Sequence, residues 1–277
     1  MLHWFDYAEV YPGHTVAGTI KVLRQLHSPQ LDNHRDILVY LPHAQGGQRY
    51  PVIYFHDGQN LFDPATSYAG EWRVDETLEQ FAAEGIEAIA VGIPNAGEMR
   101  MSEYSPYKHE TFGAGGLGDL YLAFIRDTVK PLIDESFPTI STRESTGIMG
   151  SSMGGLISLY AFFRFPDTFG FAGMMSPALM INPEIFDFVQ FAPFEPGRLY
   201  VDVGTREVPE ADENYAGMRA HRVTSELYLE VARRLRDLLL AKGYARDLLY
   251  IEEEGAIHHE DAWARRLPDA LRFLLKR

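Results

Sequence analysis

No cysteine occurs among the 277 residues, which excludes disulfides, thiolate nucleophiles and cysteine metal ligands together. The redox compartment stays open, because a cysteine-free chain suits either side of a membrane. Basic residues are also scarce: 25 Lys and Arg against 39 Asp and Glu give a formal net charge of −14. Such a chain repels phosphate backbones and anionic lipid surfaces, which counts against nucleic-acid and membrane-surface roles. No apolar run approaches the ~20 residues that span a bilayer. The opening Met1-Leu2-His3-Trp4-Phe5-Asp6 lacks a basic segment followed by an apolar one and does not resemble a signal peptide. A soluble, cytoplasmic protein is expected, although an export signal removed by processing would leave the same reading. No repeat, low-complexity tract or linker divides the chain. Its 46% hydrophobic content suits a single domain over residues 1–277 with a sizeable core.

The first part reads as β. Residues 18–26 and 36–41 suit antiparallel strands at or near a sheet edge, and Val52-Ile53-Tyr54-Phe55 is continuously apolar, as a strand buried on both faces should be. Strands and helices then alternate. Strands are predicted at 88–93, 146–149, 171–175, 199–203 and 248–251. Helices are predicted at 74–83, 120–133 with a break or kink at Pro131, 155–163, 225–241 and 262–275. This pattern implies an α/β fold: a mostly parallel central sheet with antiparallel N-terminal strands and helices on both faces. Two long irregular segments, near 95–118 and 176–196, are candidates for lining an active site. The second carries Phe186, Phe188, Phe191 and Phe194, which suit substrate binding, a local core or contact between two copies of the chain equally well.

The strongest signal is Gly150-Ser151-Ser152-Met153-Gly154-Gly155. It fits G-x-S-x-G with Ser152 central, between an apolar strand and a helical segment. The glycines let strand and helix approach closely and let the serine take a strained conformation. Ser151 would need a glycine where Met149 stands. A serine hydroxyl needs a base, and in the chain order of this motif an acid and then a histidine follow it. Two histidines, His258 and His259, lie after the last strand. Neither has the spacing of a metal site, so no metal or cofactor is called for. His3, His14, His27 and His109 read as surface or packing residues. The acid should follow the strand at 199–203. Glu207, just past Gly204-Thr205, is favoured over Asp202 inside the strand and over Glu210, Asp212 and Glu213 further out. An oxyanion hole needs the N–H after the nucleophile, that of Met153, and one from the loop His56-Asp57-Gly58-Gln59-Asn60. There Gly58 would aim the amide of Gln59 inward.

Taken together, four segments resemble the esterase family of α/β-hydrolases that includes enterochelin-esterase-like proteins, feruloyl and acetylxylan esterases and the antigen 85 mycolyltransferases. They are His56-Asp57-Gly58-Gln59-Asn60-Leu61-Phe62-Asp63; Gly92-Ile93-Pro94-Asn95 with Glu103-Tyr104-Ser105-Pro106; residues 150–155; and His258 with Trp263 and Arg266-Leu267-Pro268. The likeness runs from about Val39 to the C-terminus. It implies the α/β-hydrolase fold, with Ser152 as nucleophile, His258 rather than His259 as base, Glu207 as acid where aspartate is common, and Gln59 and Met153 as oxyanion donors. His259 stands where asparagine is often found. The expected activity is hydrolysis of a small-molecule carboxylic ester through an acyl-enzyme. Two alternatives use the same residues or fold: an acyltransferase with an alcohol replacing water, or a non-catalytic binding protein. The sequence names no substrate-binding residue.

Overall fold

In the computed structural model, residues 2–43, 46–109 and 113–276 are described. Strand β1 (Trp4–Asp6), a single helical turn α1 (Tyr7–Val10), and strands β2 (Thr19–Ser28) and β3 (Asn33–Leu41) lead into β4 (Val52–His56). Helix α2 (Val74–Ala82), β5 (Ile89–Ile93), a short α3 (Arg100–Glu103) and a two-residue ribbon of β6 (Lys108–His109) and β7 (Ala114–Gly115) follow. Next come α4 (Gly118–Phe124), α5 (Lys130–Ser136), β8 (Thr146–Ser151), α6 (Met153–Arg164), β9 (Phe171–Met175), α7 (Ile185–Phe191) and β10 (Arg198–Gly204). The chain finishes with α8 (Ala216–Ala220), α9 (Ser225–Lys242), β11 (Leu248–Glu253) and α10 (Glu260–Leu275).

Nine strands form one sheet in the order β1-β2-β3-β5-β4-β8-β9-β10-β11. The pairs β1/β2, β2/β3 and β3/β5 are antiparallel, and every later pair is parallel. Period-2 alternation sends neighbouring side chains to opposite faces. Val52 and Tyr54 of β4 therefore join one core, with Leu156 and Leu159 of α6 and Leu235 of α9. Ile53 and Phe55 join the other, with Leu78 of α2 and Leu271 of α10. Both faces of the central strands are covered, which explains their unbroken apolar runs. The parallel register aligns the carboxyl ends of β4, β8, β9, β10 and β11 along one edge, with Ser151 opposite Met175 and Met175 opposite Asp202. Ligands of open α/β sheets bind at this edge.

The observed elements match the predicted ones apart from their limits, the short unpredicted helices α1 and α8, and four particulars. The predicted helix 120–133 is two helices joined by a π-helical turn at Ile125–Val129, so the irregularity precedes Pro131. Proline lacks the N–H for an α-helical bond and crowds the carbonyl four residues back, which widens the preceding turn. Helix α6 starts directly after Ser152 despite the poor helix propensity of Gly154 and Gly155, because eleven consecutive buried residues, Met153 to Phe163, stabilise it by packing. Strand β1 extends the antiparallel edge beyond the strands expected there. The irregular segments 95–118 and 176–196 contain α3, the ribbon and α7, while residues 110–112 of the first lie outside the described residues.

Candidate active site

Ser152 sits between the last residue of β8 and the first of α6, with φ 56° and ψ −120°. A non-glycine residue occupies this region only when its surroundings impose it. Here the Ser152 N–H donates to the Met175 carbonyl at 2.9 Å, and the Ser152 carbonyl accepts from Ala178 N–H at 2.9 Å. A Cβ on Gly150 would come within 2.9 Å of both the Gly154 Cα and His56 Cδ2. Only glycine lets β8 and α6 close around that imidazole.

His56 is 1% exposed and shares a 2.8 Å hydrogen bond through Nδ1 with the Tyr121 hydroxyl. Burial pushes its pKa down to about 3, so it stays neutral. The unfolded chain takes up a proton below ~6.5. This group's stabilising contribution is therefore complete above ~6.5 and is lost as pH falls toward the folded-state value. Urea unfolding at pH 7 and pH 4 should give a stability loss ~3 kcal/mol larger for the wild type than for His56→Gln. Equal losses would show that the imidazole is already accessible to protons in the native state.

The candidate base and acid come from neighbouring strand ends. His258 Nδ1 lies 2.7 Å from Glu207 Oε2, and the His258 N–H donates to the Glu207 carbonyl at 3.0 Å. The Tyr215 hydroxyl donates to the His258 carbonyl at 3.0 Å. Glu207 is fully buried. Burial alone would raise its pKa, but hydrogen bonding and attraction from His258, together with bonds from the Ser176 hydroxyl and Gly204 N–H, hold the carboxyl below its usual range. Ser176 donates to Glu207 Oε1 at 2.6 Å and accepts from Trp263 Nε1 and Arg266 Nη2, both at 3.0 Å. Asp202, the rejected acid, is buried against Arg266 at 3.0 Å and accepts from the Tyr200 hydroxyl. His259 instead forms the N-cap of α10, its Nδ1 accepting from Asp261 N–H at 3.2 Å.

The loop after β4 departs from the expectation in detail. The left-handed residue is Asp57, with φ 54°. Gly58 is needed for close packing instead, since a Cβ there would lie 2.5 Å from the backbone of Gly92 and Ile93. Asp57 is held by Arg100 at 2.8 Å through both carboxylate oxygens and by Asn95 at 2.7 Å. Burial opposes its ionisation, but Arg100 and Asn95 outweigh that and keep its pKa low. The Asp57 N–H donates to the Tyr104 hydroxyl at 3.1 Å. Glu103 makes a buried pair with Arg35 at 2.8 Å. The Glu103-Tyr104 segment thus braces the loop that carries Gln59.

Gln59, Ser152, Met153 and His258 all border one cavity of about 1180 Å³. The N–H of Met153 belongs to the first turn of α6, where amides lack intrahelical acceptors and favour negative charge. The two irregular segments line the cavity through Asn95, Arg100 and Met101, and through Ala178, Met180 and Ile181. The four phenylalanines do not border it. Phe186 is buried under Arg234 and Phe188 packs on Tyr160, whereas Phe191 and Phe194 are exposed. Sequence reasoning missed a third wall, from Met218, His221, Val223 and Tyr228, because the spacing of Tyr228 with Val231, Ala232 and Leu235 is that of any core-facing helix. Among the described residues, the side chains placed to hold a metal ion are Glu71, Asp75 and Glu76, which do not border the cavity. No helix among the described residues is long and apolar enough to cross a membrane.

A family model described as "Putative esterase" matches residues 28–274. The chain belongs to this esterase family. It is a carboxylic ester hydrolase of the α/β-hydrolase type. The esterase is 26% identical over 250 residues to the uncharacterized protein YbbA of Bacillus subtilis, covering 87% of this chain and 92% of that one. It is 34% identical over 138 residues to the siderophore triacetylfusarinine C esterase of Aspergillus fumigatus, covering 48% of this chain and 45% of the relative. Among solved structures, the BES protein of Bacillus cereus superposes with a TM-score of 0.73 at 20% identity, over 95% of this chain and 97% of that one.

Proposed function

We propose that the esterase cleaves small-molecule carboxylic esters through an acyl-enzyme on Ser152, with His258 as base, Glu207 as its orienting acid, and the amides of Gln59 and Met153 as the oxyanion hole. The 2.7 Å bond between Glu207 and His258 Nδ1 carries this reading. A buried carboxylate there fixes the proton on Nδ1 and leaves the Nε2 lone pair to accept the serine proton. Ser152 attacks the carbonyl carbon and its proton passes to Nε2. The oxyanion lies between the two amides, the imidazolium returns the proton to the departing alkoxide, and water repeats the sequence to free the acid. The siderophore esterase among its relatives makes siderophore esters one class to include in a substrate screen.

A fluorophosphonate probe tests the assignment. Labelling should abolish p-nitrophenyl butyrate turnover at one equivalent, with the added mass on the peptide that contains Ser152. Turnover that persists in fully labelled protein, or a label on another residue, would refute it.

A further inference from the structure

Tyr228 is a buried residue in the first turn of α9 and belongs to neither the elbow nor the acid–base pair. Its ring packs 4.9 Å from the His258 ring at 45°, while Trp263 meets the same imidazole edge-on at 4.9 Å and 88°. The imidazole thus packs against two aromatic side chains. Tyr228 also borders the cavity together with Ser152, and its hydroxyl is close enough to the Ser152 side chain to interact with it electrostatically. Burial drives its pKa upward, so the phenol keeps its proton at any working pH.

We infer that Tyr228 is a further catalytic residue, whose O–H donates to Ser152 Oγ and stabilises the negative charge that develops there. This rests on the assignment of Ser152 as nucleophile. A serine oxygen has one proton to give and two lone pairs to receive. With its proton directed to His258, Oγ can accept from Tyr228 without losing its alignment. During acylation, charge builds on Oγ as the proton leaves. During deacylation, charge returns to Oγ as the acyl C–O bond breaks. One donor aimed at that atom serves both steps, and the Tyr228 proton is never transferred. A preorganised donor in a water-poor site stabilises such charge more than water does.

The discriminating variant is Tyr228→Phe, which keeps the ring that packs on His258 and removes only the hydroxyl. With p-nitrophenyl butyrate, kcat should fall ~10- to 100-fold while KM stays within about twofold. The rate of fluorophosphonate inactivation, which reports serine reactivity without deacylation, should fall in parallel. A ring serving only as packing would leave both rates unchanged in Tyr228→Phe. That result, alongside an inactive Ser152→Ala, would overturn the role of Tyr228 and leave the nucleophile assignment standing. Activity surviving in Ser152→Ala would overturn both.

Discussion

Ser152→Ala is expected to lower kcat for p-nitrophenyl esters by ~10⁵-fold, to a residual rate still above that of water. The size follows from the roles proposed around the serine. His258 and Glu207 act only through the Ser152 oxygen, so removing that atom idles both at once. The two amides and the cavity walls remain and account for the residue of activity. Folding should not suffer, because the local backbone is held by main-chain bonds to Met175 and Ala178. Ser152→Gly makes the separation sharper. Glycine adopts φ 56° without strain, so this inactive variant should melt above the wild type, by an amount corresponding to ~1 kcal/mol. Steady-state kinetics and a thermal melt on the same preparations check both arms. A Ser152→Ala enzyme within tenfold of the wild type would remove the basis of the mechanism.

The site was legible where chemistry needs a rare backbone arrangement, and obscure where it uses common side chains in ordinary places. Gly150 and Gly154 flank a serine between an apolar strand and a helix, and the structure has that turn, with Gly150 where no other residue fits. Glu207 and His258 stand within two loops of parallel neighbours β10 and β11, so the order of strands along the chain already brings them near each other. The antiparallel entry and the parallel remainder of the sheet followed from the same alternation of patterns. Ser176 and Tyr228 carried no comparable mark. Ser176 follows a strand end, in a segment read as irregular, and its role emerges only when Glu207, Trp263 and Arg266 converge on its hydroxyl. The Glu103-Tyr104 pair was visible as a motif, but its bracing role depends on long-range contacts to Arg35 and Asp57, which periodicity cannot encode. Pro131 misled in position: the proline marks a disturbance, while the backbone yields one turn earlier.

Glu207→Gln should cost less than the loss of the nucleophile but still cripple turnover, and for a reason its hydrogen bonds dictate. The carboxylate receives three donors: the Ser176 hydroxyl at 2.6 Å and the Gly204 N–H at 2.5 Å on Oε1, and His258 at 2.7 Å on Oε2. A glutamine offers one acceptor and one NH₂ in the same space. The Gly204 amide is fixed in the backbone and can only donate, so the amide oxygen must take the Oε1 position. The NH₂ group then faces His258 Nδ1, which must become an acceptor. That tautomer carries its proton on Nε2 and cannot take one from Ser152. The expected result is a kcat ~10³- to 10⁴-fold below the wild type, with KM little changed because the residue does not border the cavity. The ring nitrogen shifts of His258 in ¹⁵N NMR should exchange their protonation pattern in step. Removing the charge also alters the response to acid. The depressed pKa of Glu207 means that its stabilising contribution is complete above the unfolded-state value of ~4.3 and disappears as pH falls through the folded-state value. The variant should lack that part of the wild-type loss of stability below pH ~4.3. A Glu207→Gln enzyme that kept full activity would mean that something other than this carboxylate sets the tautomer of His258.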